Sequence, residues 1–139
     1  MKAYQNSLRD KNEVFLKRLC ELGIPVIDEN IMLAQGDSDR SHNTYIKINR
    51  FGNYAQATLV CEGSDLSFIE FGAGIHYNTP AGTSPHPKGE EFGYTIGSYG
   101  QGKGKNESWV YVANSGEWVR SYGTEATMPV YKASVEIMQ

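Results

Sequence analysis

Cysteine is almost missing from this chain: Cys20 and Cys61 are the only two, with no CxxC spacing. Such a pair supports neither a disulfide framework nor a thiolate zinc site, and it fits a reducing compartment. Histidine is as sparse. His42, His76 and His86 are separated by wide, irregular gaps, so a metal centre would require the fold to gather them. No apolar run approaches membrane-spanning length, and the first residues lack an apolar core followed by a small-residue cleavage site. The expectation is a soluble chain without an export signal. Blocks of like charge are missing too. Thirteen basic side chains stand against sixteen acidic ones, a net charge of -3, which gives a phosphate-binding surface little support and makes nucleic acid an unfavoured ligand.

Glycine and tyrosine are abundant, 15 and 9 among 139 residues, and the glycine is unevenly placed. The length is that of one domain with a modest core. Residues 80–105 hold three of the five prolines and seven of the glycines, interleaved with Tyr94, Ile96 and Tyr99. A loop of this length in a compact domain is usually functional or disordered, and its aromatic residues imply that it orders against a neighbour.

The flanking sequence reads as regular structure. From Ser7 to Leu22, Leu8, Phe15, Leu19 and Leu22 recur at helical spacing, with Gly23 and Pro25 as stop signals. Ile24 to Ala34 is compatible with a buried loop, a short strand or a second helix, and Gln35 to Asn43 reads as a solvated loop. Asp37 and Asp39 match the first two ligands of a calcium loop, but the glycine and terminal glutamate are missing, so solvation is the preferred reading. Alternation predicts strands over Thr44 to Phe51 and Tyr54 to Glu62, turned at Gly52-Asn53. A second hairpin is predicted over Trp109 to Val112 and Glu117 to Arg120, turned at Asn114 to Gly116. Met128 to Met138 has helical spacing with Pro129 in its first turn. The expected fold is α+β, with the N- and C-terminal helices on one face of an antiparallel sheet built from both hairpins.

The pivotal stretch is Ser67 to Gly74, where an apolar segment carrying Glu70 runs into glycines, and where Ser64 or Asp65 would cap a single helical turn. Glu70 admits two readings. Beside His76 it could form an acid/base pair, with Glu62 or Asp65 as a second carboxylate for glycoside chemistry. The preferred reading is structural: Glu70 fixes the turn at Gly72 to Gly74, or pairs with an arginine such as Arg120, while Phe68, Ile69 and Phe71 anchor the sheet. Gly97 to Lys103 has the spacing of a phosphate-binding loop, but Gly104 stands where magnesium needs a hydroxyl and no helix follows. No catalytic, cofactor or metal residue is assigned. The structural turn comprises Phe68, Glu70, Phe71, Gly72 and Gly74. Tyr94, Tyr99, Trp109, Tyr111, Trp118 and Tyr122 are candidates for an interface, or alternatively for a sugar-binding or base-stacking platform.

Four short motifs occur in a telling order: Phe68-Ile-Glu-Phe-Gly72, Pro85-His-Pro87, Trp109-Val-Tyr111, and Tyr122-Gly-Thr-Glu-Ala-Thr-Met-Pro129 followed by Tyr131 and Ala133. Together they resemble the tail-completion or head-to-tail joining proteins of long-tailed phages and prophages. Ala73 and Val130 depart from that family's usual threonine and its aromatic or methionine. The resemblance implies a non-enzymatic virion component at the head-tail junction. It also implies a hexameric ring of copies, contacting head-completion, tail-terminator or tail-tube proteins. A carbohydrate-binding or glycan-hydrolysing phage protein, using the aromatic residues and Glu70, is the alternative. A small DNA-associated protein is a third reading, which the acidic balance opposes.

Overall fold

The computed structural model describes residues 2–78, 84–93 and 107–139. Its first element, α1, runs Lys2–Leu33 with Pro25 inside it, so the expected stop at Gly23 is corrected: the helix passes through both signals. Burial explains why. Ile27 and Ile31, one turn apart, are sealed from solvent. Burying two isoleucines contributes about 3 to 6 kcal/mol, against about 3 kcal/mol for proline in a helix interior. Gly23 is a contact point rather than a cap. A Cβ there would lie 2.6 Å from Leu59 Cδ2 and 3.0 Å from Ile137 Cδ1, so glycine lets α1 approach a strand and the last helix together.

Strands β1 (Asn43–Arg50) and β2 (Ala55–Glu62) pair antiparallel, from Asn43 opposite Glu62 to Arg50 opposite Ala55. The Phe51 N–H donates to the Tyr54 carbonyl at 2.8 Å and their rings stack at 4.6 Å, closing the tip around Gly52-Asn53. Asp65 begins a short helix, α2 (Leu66–Phe71), through backbone bonds. Its side chain does not cap α2 but accepts the Asp39 N–H at 2.7 Å. Strands β3 (Trp109–Val112) and β4 (Trp118–Ser121) form the second hairpin, and α3 (Pro129–Met138) ends the order. The fold is α+β, with a long N-terminal helix, a C-terminal helix and two antiparallel hairpins. Each hairpin is its own two-stranded sheet among the described residues, rather than half of a shared one.

The core lies between the helices and β2. Ile27, Ile31 and Ala34 of the α1 end meet Ile69 and Ala133, with Val26, Leu59, Cys61 and Leu66 against them. Of the three apolar residues expected to anchor a sheet, only Ile69 enters this core. Phe68 and Phe71 are half-buried, and Phe71 packs its ring 4.5 Å from His86 and 6.1 Å from Phe92. The 35–43 segment is less solvated than its composition suggests. The Asp37 N–H donates to Gly123, Glu125 N–H donates to Gln35, and the Arg40 guanidinium donates to the Ala34 carbonyl. Among the described residues no helix is long and apolar enough to cross a membrane.

Candidate functional site

Glu70 sits on the last turn of α2 and is buried. Its partners lie far away in sequence. Oε2 accepts the Val130 N–H at 2.7 Å, and Oε1 accepts the Tyr131 N–H at 2.9 Å and a hydrogen bond from His86 Nε2 at 2.8 Å. The first residue of α3, Pro129, has no N–H, and Met128 before it is left-handed (φ 54°) with no side-chain cap. The next two amides are those an N-cap side chain would satisfy. Glu70 supplies that cap from 60 residues upstream, and its charge lies at the positive end of the helix. The expectation that Glu70 holds the Gly72 to Gly74 turn or pairs with Arg120 is therefore corrected. Arg120 donates to Ser108 at 3.0 Å, and His76 contacts Glu107 at 3.3 Å, not Glu70.

His86 completes the knot. The Lys88 N–H donates to His86 Nδ1 at 3.0 Å, so Nδ1 is the acceptor and Nε2 carries the hydrogen given to Glu70. The Tyr131 ring stands 5.2 Å from the imidazole, edge to face. Every polar atom of the pair points into the protein, so its geometry ties α2, the 84–93 turn and α3 together.

The turn after α2 is held by a residue with no motif to announce it. Asn78, buried, donates from Nδ2 to the Thr124 carbonyl at 2.6 Å and accepts the Ala126 N–H on Oδ1 at 2.9 Å. Thr124 in turn exchanges both backbone bonds with Ala73, at 2.9 and 3.0 Å, and bonds Ser38 through its hydroxyl at 2.5 Å. Gly72 and Gly74 have φ of 85° and 74°, so both glycines of the expected turn are required by backbone conformation. Gly74 also faces Trp109, whose ring would lie 2.8 Å from a Cβ at that position.

Beside this junction lies an open groove of about 440 Å³. Phe68, Trp109 and Tyr111 supply its apolar wall, the Thr124 region its floor, and Asp37 and Asp65 its acidic edge. Alternation along β3 puts Trp109 and Tyr111 on the groove side, as the spacing implies. It sends Val110 and Val112 to the opposite face, with Trp118, which pairs with Val112. The aromatic candidates are thus divided. Trp118 is 76% exposed on the outer face, Tyr122 is exposed with its ring 5.3 Å from His76, and Tyr94 and Tyr99 lie outside the described residues. The Gly97 to Lys103 pattern falls outside them as well. Glu70 is not part of the groove lining, so the carboxylate and the aromatic wall are separate features.

Electrostatics elsewhere are local. Burial pushes the Cys20 and Cys61 thiols up, away from thiolate character. The Ser41 N–H lowers the Asp39 carboxyl, and the Arg50 guanidinium, bidentate on Glu13 at 2.7 Å, lowers that carboxyl. Among the described residues no group of His, Cys, Asp and Glu side chains is arranged to hold a metal ion.

The fold and site define an α+β chain whose distant segments are locked by buried side chain to backbone bonds, with an aromatic groove alongside. No family model, curated protein or solved structure matches it.

Proposed function

We propose that this chain is a structural component of a phage virion at the head-tail junction, working through contacts with copies of itself in a ring and with neighbouring neck or tail proteins. One observation carries the reading. Three of the motif segments behind the family resemblance meet in space: Glu70 of the first, His86 of the second, and the amides of Val130 and Tyr131 that follow the last. Short motifs arising by chance have no reason to converge on one carboxylate. The exposed apolar surface is the material such a protein would use, with Trp118, Val112 and Val110 on one side of the hairpin and the Trp109-Tyr111 groove on the other.

The test is genetic and visual. Particles assembled without this protein should accumulate as separate filled heads and tails under the electron microscope, and supplying the protein in trans should join them. Normally joined particles in its absence overturn the reading. The groove favours a second reading, glycan binding, because Trp109 and Tyr111 share one face. With Glu70 outside the groove this reading is limited to binding, and a glycan array comparing the parent with Trp109→Ala decides it.

A further inference from the structure

Over residues 4–22, α1 carries a second apolar face that the described residues leave exposed. At about 100° per residue, Tyr4, Leu8, Phe15 and Leu22 fall within about 40° of one another on the helix circumference. Gly23, Ile27 and Ile31, which face the core, point about 120° away. The four are 66%, 42%, 61% and 51% exposed. Their spacing of four, seven and seven residues is that of a packing seam, and the alternate positions of the same seam are basic: Lys11 and Arg18. Residues 2–20 carry five basic and two acidic side chains, +3 in a chain whose net charge is -3, so the remainder bears -6.

A seam of this kind does not suit a copy of itself. Two α1 helices packed along it would bring Lys11 and Arg18 against one another, and like charges at such positions oppose pairing. It suits an apolar surface edged with carboxylates. The groove beside α2 is that surface. Phe68, Trp109 and Tyr111 line it, and Asp37 and Asp65 are fixed at its edge by accepting the Tyr122 and Asp39 amides at 3.1 and 2.7 Å.

We infer that the outward seam of α1 docks into the groove between α2 and the β3–β4 hairpin of a second copy of this chain. Phe15 enters the aromatic wall, and Lys11 and Arg18 flank Asp37 and Asp65. Because seam and groove are different surfaces, the contact is head-to-tail, which closes into a ring or grows into a filament according to its rotation. The inference rests on the ring reading above for the presence of a second copy, and it names the interface.

The experiment uses the purified full chain with benzoylphenylalanine in place of Phe15, prepared in heavy and light isotopic forms, mixed and irradiated. Expected are heavy-light cross-links from α1 to peptides containing Phe68, Trp109 or Tyr111. Cross-links only between two α1 helices, or none between chains, overturn the inference. The double variant Lys11→Glu, Arg18→Glu changes two exposed side chains away from the core, so its circular dichroism should match the parent. Its cross-link yield should fall at least tenfold, and an unchanged yield overturns the inference as well. Neither assay involves virions. Failure here therefore leaves the head-tail joining test standing, and failure there leaves this interface standing.

Discussion

Glu70 joins three distant segments, since its carboxylate receives two amides and an imidazole N–H while shielded from water. Hydrogen bonds to a charged group contribute about 1.5 to 3 kcal/mol each, and an unsatisfied buried donor costs about as much. Glu70→Gln keeps the shape but turns an NH₂ group toward N–H donors, so urea denaturation should show a loss of about 2 to 4 kcal/mol. No loss would mean the carboxylate is not the cap of α3. Gly123 is constrained by backbone instead. Its φ is 90° and a Cβ would collide with the Ala73 carbonyl, so Gly123→Ala should lower stability by more than about 2 kcal/mol, read from its thermal midpoint. At this scale the sequence is half legible. A carboxylate between apolar residues and a glycine turn marks Glu70 as special, but its partners lie 16 and 60 residues away, beyond local pattern. Asn78 carries no such mark, because its importance comes entirely from the carbonyl and amide brought to it by residues 124 and 126.

The elements were legible wherever local signals and burial agree. Both hairpins and α3 lie within a residue or two of where alternation, the Gly-Asn turn and Pro129 place them. α1 was not. Gly23 and Pro25 are genuine stop signals, and the burial of Ile27 and Ile31 outweighs them, so the helix continues through a turn that lacks one amide donor. Pro25→Ala restores the missing N–H at an exposed position and should raise stability by about 1 to 3 kcal/mol, measured by chemical denaturation. A decrease would show that the proline shapes the helix path that the core needs. The start of β1 is pinned to α1 by His42, which bonds the Arg40 carbonyl at 2.7 Å and Asp28 Oδ1 at 2.8 Å. The Arg40 carbonyl, with Asp28 adding to it and burial opposing, raises the imidazole above its ordinary value of 6.5. A raised folded value means that this stabilisation is complete below pH 6.5 and lost as pH climbs through the folded value. The thermal midpoint should therefore fall on going from pH 6.5 upward, and His42→Asn should flatten that slope. A slope unchanged in the variant would assign it to other groups.

For the molecule as a whole, the distribution of apolar surface separates what folds the chain from what the chain offers outward. Trp118 is largely exposed and lies outside the core cluster, and Trp118→Ser should change folding stability by no more than about 0.5 kcal/mol in urea titrations. A larger loss would place Trp118 among the residues that hold the fold. The α+β class was readable from the order of periodicities, but the separation of the two hairpins was not, since sheet membership depends on which edges meet after folding. The groove was readable only as two aromatics on one strand face; its acidic edge comes from Asp37, which the sequence places in a loop, and Asp65, which it offers as a helix cap, and nothing local brings the two together. The cap on α3 has a further meaning for the timing of synthesis. A helix of ten residues is too short to persist alone. The cap that completes it has waited on α2 since Glu70 was made, sixty residues earlier, and until Val130 emerges that buried carboxylate has no backbone amide to receive. A nascent or truncated chain ending before that point leaves the carboxylate with the His86 imidazole as its partner and without the two amides. Completion of the fold is thereby tied to the arrival of α3, sixty residues after the group that caps it.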